Sequence, residues 1–313
     1  MKVFITGGTG FIGQQIARLL IERGDSVVVL SRSAERARGR LPAGATVVEG
    51  DPQYAGDWQA AVAGCDALVH LAGESVAGER WDSRFKQRIN DSRVDSTMQV
   101  VEAIAAASES ERPGVLVSAS GADFYPTAED LDAHTKAFED DPVDESTAPG
   151  SSFLARVCRN WEQEAARAEE HQVRVVRMRT GLVLGKGGAL DKLLTPFKLF
   201  VGGKIGSGQQ WTSWIHVRDA ARAYLFALDS ELSGPVNVVA PGNVRNAELS
   251  KALGRAISRP SWMPVPGFAL KAAVGEFAEY ILRGRRVVPK ALQDAGFQFE
   301  YPDIEAALGA LEL

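Results

Sequence analysis

Met1-Lys2-Val3-Phe4-Ile5-Thr6-Gly7-Gly8-Thr9-Gly10-Phe11-Ile12-Gly13 reads as a strand, a glycine turn and the start of a helix. The apolar run Val3-Phe4-Ile5 supplies the strand, and glycines at 7, 10 and 13 follow it. Ile12, Ile16, Leu19 and Leu20 then form a helical stripe that stops at Gly24. One glycine lets the chain turn sharply, and the next lets backbone approach a pyrophosphate. The third lets the helix pack against its strand, while free N–H groups and the positive dipole at the helix start favour phosphate. In this strand–turn–helix context the spacing predicts a dinucleotide site, with Gly7, Thr9, Gly10, Phe11, Ile12 and Gly13 as its contacts.

The same rhythm continues along the first half. Val27-Val28-Val29-Leu30, Val47-Val48, Ala67-Leu68-Val69-His70-Leu71, Val115-Leu116-Val117 and Val173-Arg174-Val175-Val176 read as buried strands. Helical stretches lie between them, the clearest with Val94, Met98, Val101, Ile104 and Ala105 on one face. Alternation of this kind implies an α/β fold, a doubly wound parallel sheet (Rossmann fold) with its ligand crevice at the carboxyl ends of the strands. Near residue 180 the rhythm gives way to the glycine-rich segments 185–188 and 202–208, and a strand-like run returns at Val236-Asn237-Val238-Val239. We therefore expect a nucleotide-binding domain of residues 1–178 plus 219–240. Residues 179–218 plus 241–313 would form a smaller C-terminal substrate lobe. The acidic stretch 127–145 reads as a solvated loop, without metal-ligand spacing.

Composition sets the class. The 313 residues carry a net charge of −5, which gives no electrostatic reason to expect nucleic acid or an anionic membrane as partner. Cys65 and Cys158 lack metal-type spacing and read as small buried side chains in a reducing compartment. With no charged-then-apolar leader and no apolar span of membrane length, the expectation is a cytoplasmic protein acting on a small molecule.

The end of the second strand discriminates between nicotinamide cofactors. A carboxylate there binds the ribose 2′-OH and repels a 2′-phosphate, whereas an arginine accommodates the phosphate. Here the strand ends Leu30-Ser31-Arg32-Ser33, with Arg36 and Arg38 adding positive potential. Ser31 and Arg32 point to NADP(H) rather than NAD; the alternative is a solvated helix start.

Further motifs carry a resemblance. Gly7 to Gly13, His70-Leu71-Ala72-Gly73-Glu74, Ser118-Ala119-Ser120 and Trp214-Ile215-His216-Val217-Arg218-Asp219 resemble the extended short-chain dehydrogenase/reductase superfamily. Ser92-Arg93-Val94, Arg179-Thr180-Gly181-Leu182-Val183-Leu184-Gly185 and Gly202-Gly203-Lys204-Ile205-Gly206-Ser207-Gly208-Gln209 resemble, more narrowly, its atypical epimerase-family branch. The ending Val288-Pro289-Lys290 to Ala306-Ala307-Leu308 is similar to that branch's small C-terminal domain. The resemblance implies that Leu71, Ala72 and Gly73 pass close to the adenosine ribose and pyrophosphate. It also implies that Arg93 reaches a cofactor phosphate or ribose, and that Arg179 approaches the nicotinamide end.

The superfamily's Tyr-x-x-x-Lys pair is missing. On the matching helix Leu154 stands where Tyr belongs and Cys158 where Lys belongs; a frame shifted by one gives Phe153 and Val157. Neither frame supplies a phenol or an ammonium, so the usual proton transfer has no carrier there. Ser120, Asp123 and Tyr125 remain near the expected site. Ser120 matches the substrate-positioning serine, and Tyr125 offers a phenol from another direction. Asp123 sits where the branch has a small residue, and Pro126 where it has Gly. His216 reads as a structural hydrogen-bonding residue. Lys204, Gln209 and Trp211 are the substrate-side candidates, polar and aromatic groups in or after the glycine-rich loop. Two functions stay open: an NADP-dependent oxidoreductase or epimerase on a small polar carbonyl or alcohol, and a weakly catalytic NADPH-binding regulatory or assembly protein with a protein partner.

Overall fold

The computed structural model describes residues 1–127 and 140–311. Strands β1 (Lys2–Thr6), β2 (Ser26–Ser31), β3 (Thr46–Glu49), β4 (Ala67–His70), β5 (Val115–Gly121) and β6 (Arg174–Thr180) alternate with helices α1 (Phe11–Glu22), α2 (Ala34–Arg38), α3 (Ser83–Ala106) and α4 (Phe153–Ala166). The second half contributes β7 (Leu182–Leu184), α5 (Ala189–Lys198), β8 (Trp211–Thr212), β9 (Trp214–His216), α6 (Val217–Asp229), β10 (Gly234–Val238) and β11 (Val244–Arg245). Helices α7 (Asn246–Ala256), α8 (Gly267–Val274), α9 (Phe277–Leu282), α10 (Lys290–Asp294) and α11 (Ile304–Gly309) end the chain.

Seven strands form one parallel sheet in the order β10-β6-β5-β4-β1-β2-β3. The order reverses at β1, which opens the crevice between the carboxyl ends of β1 and β4. The near-continuous apolar runs are explained by covering on both faces. Val3, Ile5, Val69 and Val117 point into one cluster with Ile16, Leu20 and Tyr224. Phe4, Leu68 and Leu116 alternate into the other, with Trp58, Val100 and Ile104. Burial of the sheet is therefore written into single residues at a period of two.

The smaller lobe is built on two short pairs, β7 with β9 and β8 with β11. Its own cluster gathers Leu190, Leu194, Trp214, Leu249, Leu253 and Leu308. The segment 219–240 returns to the main sheet as α6 and β10. One part of the tail does so as well: Leu292 of α10 and Phe297 join the sheet's cluster with Val236 and Val238. Proline punctuation hid this return, because α10 spans only Lys290–Asp294. Part of the acidic stretch, residues 128–139, lies outside the described residues. No helix among the described residues is long and apolar enough to cross a membrane.

Candidate active site

The glycine turn forms a backbone cradle. Gly7 holds φ +68°, and its carbonyl accepts from Gly10 N at 2.9 Å. A Cβ on Gly13 would sit 2.4 Å from the Gly7 carbonyl oxygen and 2.7 Å from Gly8 Cα, so the helix approaches its own turn at a distance only glycine permits. A Cβ on Gly7 would in turn meet the Leu71 carbonyl carbon at 2.7 Å and Ala72 N at 2.9 Å. The turn after β1 and the turn after β4 are thus pressed together. No side chain caps Gly10, the residue that starts α1, which leaves the first N–H groups of the helix for an anion. Thr9 anchors through its carbonyl, which accepts from Gln14 Nε2 at 2.8 Å. Phe11 explains the second glycine-rich segment: Cβ atoms on Gly185 and Gly188 would each come within 2.7 Å of its ring. Ile12, half-buried beside it, packs against the sheet's cluster.

At the end of β2, Ser31 Oγ accepts from Ser33 N at 3.3 Å, and Arg32 is exposed with no ion pair among the described residues. Glu49 pairs with Ser31 across the strands. Its Oε2 accepts from Ala34 N at 2.9 Å, so the neighbouring strand's carboxylate is held on the start of α2.

Buried His70 closes β4. Thr97 and Ser96 donate their hydroxyl protons to the carbonyls of Arg93 (2.6 Å) and Ser92 (2.7 Å). His70 Nε2 therefore carries the ring proton toward Thr97 Oγ1 at 3.0 Å, and Nδ1 accepts from Thr6 Oγ1 at 2.7 Å. Thr6 Oγ1 accepts in turn from Leu71 N (3.2 Å) and Ala72 N (3.3 Å). Desolvation pulls His70 down to about 3, so the ring is neutral. Arg93 lies along Gly73, whose Cβ would stand 3.4 Å from the Arg93 Cγ and Cζ. The guanidinium faces the Trp161 ring, 5.2 Å from its centroid.

Three of the candidates, Tyr125, Arg179 and Ser120, are joined in one buried hydrogen-bonded cluster. Tyr125, only 1% exposed, donates from its hydroxyl to Asn237 Oδ1 at 2.6 Å and accepts from Arg179 Nη1 at 3.0 Å. Burial pushes the phenol up to about 12, so Tyr125 keeps its proton, held between Asn237 and Arg179. Arg179 Nε and Nη2 donate to Glu162 Oε1 and Oε2 at 2.8 and 2.9 Å, and the guanidinium lies 3.4 Å from the Phe124 ring centroid. Ser120 donates its single proton to Glu162 Oε1 at 2.7 Å, which leaves none to position a substrate carbonyl. All three belong to one buried cluster centred on Glu162. On α4, Leu154 and Cys158 are buried, and burial pushes the Cys158 thiol up to about 12.

The substrate-side candidates gather on the small lobe. Exposed Lys204 donates to the Ser207 carbonyl at 3.2 Å, and the Gln209 carbonyl accepts from Arg245. Trp211 lies between the guanidiniums of Arg245 and Arg286, 4.0 and 5.3 Å from their Cζ atoms, and donates to Asp140 at 3.1 Å. His216 is structural: Nδ1 accepts from Arg218 N at 3.2 Å at the start of α6, and the ring packs on Tyr301.

Two organising carboxylates escaped the reading of the sequence. Glu162 carried no signal beyond its place on α4, the helix that lacks the Tyr/Lys pair. Glu145, hidden in the acidic run, accepts from Asn237 N at 2.9 Å and Ala291 N at 3.1 Å and so ties β10 to α10.

Comparison with known proteins agrees with this geometry. Residues 3–240 match the NAD dependent epimerase/dehydratase family, and residues 265–311 match a domain of unknown function, DUF1731. The chain is 40% identical over 317 residues to the chloroplastic epimerase family protein SDR39U1 homolog of Arabidopsis thaliana, covering 99% of this chain and 86% of that one. It is 37% identical to epimerase family protein YfhF of Bacillus subtilis, covering 99% and 98%. Among solved structures, human epimerase family protein SDR39U1 (isoform 2), crystallised with NADPH, superposes with a TM-score of 0.86 at 32% identity, covering 100% of this chain and 99% of that one. With the glycine cradle, the parallel sheet and the C-terminal domain all accounted for, the chain belongs to the NAD-dependent epimerase/dehydratase family.

Proposed function

We propose that this protein binds NADP(H) and works as an oxidoreductase or epimerase on a small polar carbonyl or alcohol, free or nucleotide-linked. The observation that carries the reading is the cradle in which Gly13 and Gly7 leave no room for a Cβ, beside the uncapped start of α1. Gly7, Thr9, Gly10, Phe11, Ile12 and Gly13 hold the pyrophosphate. Leu71, Ala72 and Gly73 form the adjoining wall, fixed by the Thr6–His70 hydrogen bonds. Ser31 and exposed Arg32, which makes no ion pair among the described residues, take the 2′-phosphate, and Arg93 lies beside Gly73. NADPH in the human SDR39U1 crystal structure supports the choice of cofactor. When bound, the nicotinamide supplies or accepts hydride. The buried free thiols of Cys65 and Cys158 suit a reducing compartment, the cytoplasm in our reading.

Titration with NADPH and NADH, followed by fluorescence, tests this. Arg32→Ala is expected to weaken NADPH about 10–100-fold, the loss of a charge-assisted hydrogen bond, and to leave NADH unchanged. Equal affinity for both nucleotides in the wild type overturns the cofactor assignment.

A second reading has its own support. Tyr125 and Ser120 are withdrawn into the Glu162 cluster, while Leu199, Phe200, Val201 and Trp262 are exposed on the small lobe. An NADPH-loaded regulatory or assembly protein with a protein partner fits those two facts. Bound NADPH that stays unoxidised across carbonyl substrates, with a partner co-purifying, decides for it.

A further inference from the structure

We propose that Asp123 is the acid–base residue of the cleft, an inference that rests on the cofactor reading above.

Asp123 follows directly on β5, at the carboxyl edge of the sheet and on the β4–β5 side of the crevice. Its side chain is exposed, and the Arg93 guanidinium of α3 is close enough to act on its carboxyl. The point where a Cβ on Gly121 would sit lies 3.6 Å from Asp123 Oδ2 and 3.3 Å from Cys158 Sγ. The carboxyl therefore stands beside the helix position from which the lysine is missing. It occupies the neighbourhood that chemistry requires, and it arrives from the strand rather than the helix.

Its surroundings suit proton transfer. The titratable groups facing it are Arg93 from α3, Cys158 from α4 and Tyr280 from α9. Desolvation raises the carboxyl to about 6, and the Arg93 guanidinium pulls it back down. A carboxyl poised near neutrality serves as donor and acceptor within one cycle, whereas the buried Tyr125 and Cys158, both at about 12, serve as neither. Tyr280, which Asp123 influences electrostatically, also lines a small pocket with Thr127, Ser152, Glu279 and Arg283.

The chemistry balances simply. The bound cofactor would supply the hydride to a carbonyl carbon, and Asp123 would give its proton to the carbonyl oxygen, leaving alcohol and carboxylate. Water then returns the proton to the carboxylate. Oxidation of an alcohol runs the same steps backward.

The test uses the full chain loaded with NADPH, with labelled aspartate carboxyls read by carbon NMR and diacetyl as the carbonyl probe. In the wild type one carboxyl is expected to titrate near 6, and Asp123→Asn should abolish that resonance. The variant should keep its NADPH affinity and lose turnover by about 10²–10⁴-fold. The wild-type rate should fall as pH rises through about 6, while the variant's residual rate should not. A carboxyl titrating near 4, a variant with the wild-type pH profile, or a loaded wild type that turns over no diacetyl overturns the assignment. Failure of the wild type to bind NADPH overturns the cofactor reading instead, and the carboxyl titration remains readable.

Discussion

Arg179 and Glu162 face each other fork to fork, with parallel hydrogen bonds of 2.8 and 2.9 Å and both side chains about 5% exposed. The pair joins the end of β6 to α4 behind the catalytic end of the cleft. Glu162 also accepts from Ser120, and Arg179 also donates to Tyr125. These are the polar groups that a sequence-based search for catalysts selects, and the fold uses them to fix its own frame.

Breaking this pair should be costly. Glu162→Gln leaves a buried guanidinium without its counter-charge, and roughly 3–5 kcal/mol of stability is expected to go. Replacing both partners, Arg179→Met with Glu162→Leu, should cost far less than the two single changes together, because no buried charge remains. Urea unfolding midpoints measure both. A Glu162→Gln loss below about 1 kcal/mol would show that water reaches the pair.

Ser120→Ala provides a separate check on whether Ser120 serves the fold or the chemistry. The variant loses a hydrogen bond to a charged acceptor, worth about 1.5–3 kcal/mol. Its NADPH affinity should stay at the wild-type value. A stable variant with a collapsed turnover rate would restore Ser120 to the chemistry.

Gly13→Ala probes the cradle. The added methyl meets backbone, the Gly7 oxygen at 2.4 Å and Gly8 Cα at 2.7 Å, and backbone cannot rotate aside. The turn must shift, at about 1–3 kcal/mol of stability, and NADPH affinity should drop at least about tenfold. Gly309→Ala is the control, since its methyl would meet nothing within 4 Å and the residue lies in a helix. Equal nucleotide affinity in the two variants would remove Gly13 from the site.

The sheet was legible because most of its strands contain a short apolar run. Val3, Phe4 and Ile5 need only their period of two to specify burial on both faces. The nucleotide cradle was legible because it is local: Gly7, Gly10 and Gly13 act within one turn. The catalytic end was not. Whether Tyr125 is a donor or a packing residue depends on Asn237 and Arg179, which reach it from β10 and β6. Glu145 looked like one more solvated acid until β10 and α10 brought two N–H groups to it. Long-range partners decide those roles, and spacing along the chain carries no record of them.

His70 yields a prediction with a defined sign. Its native value is held at about 3, against about 6.5 in an unfolded chain. Below about pH 6.5 the unfolded state takes up a proton that the native state refuses until about 3. The stability contributed by the neutral ring is therefore complete above pH 6.5 and drains as pH falls toward 3, by at most about 1.4 kcal/mol per pH unit. Asp123 acts in the opposite direction, because a carboxyl raised to about 6 gains relative to the unfolded chain as the solution turns acid. Comparing the wild type with His70→Gln separates the two, since both proteins keep Asp123. The variant should start less stable at pH 7, having lost the fit between Thr6 and Thr97, and its urea midpoint should fall less steeply between pH 6.5 and 4. Parallel pH dependences in the two proteins would mean that His70 protonates in the native state without resistance. The neutral ring that ties Thr6 to the Leu71–Ala72 turn would then have to be abandoned.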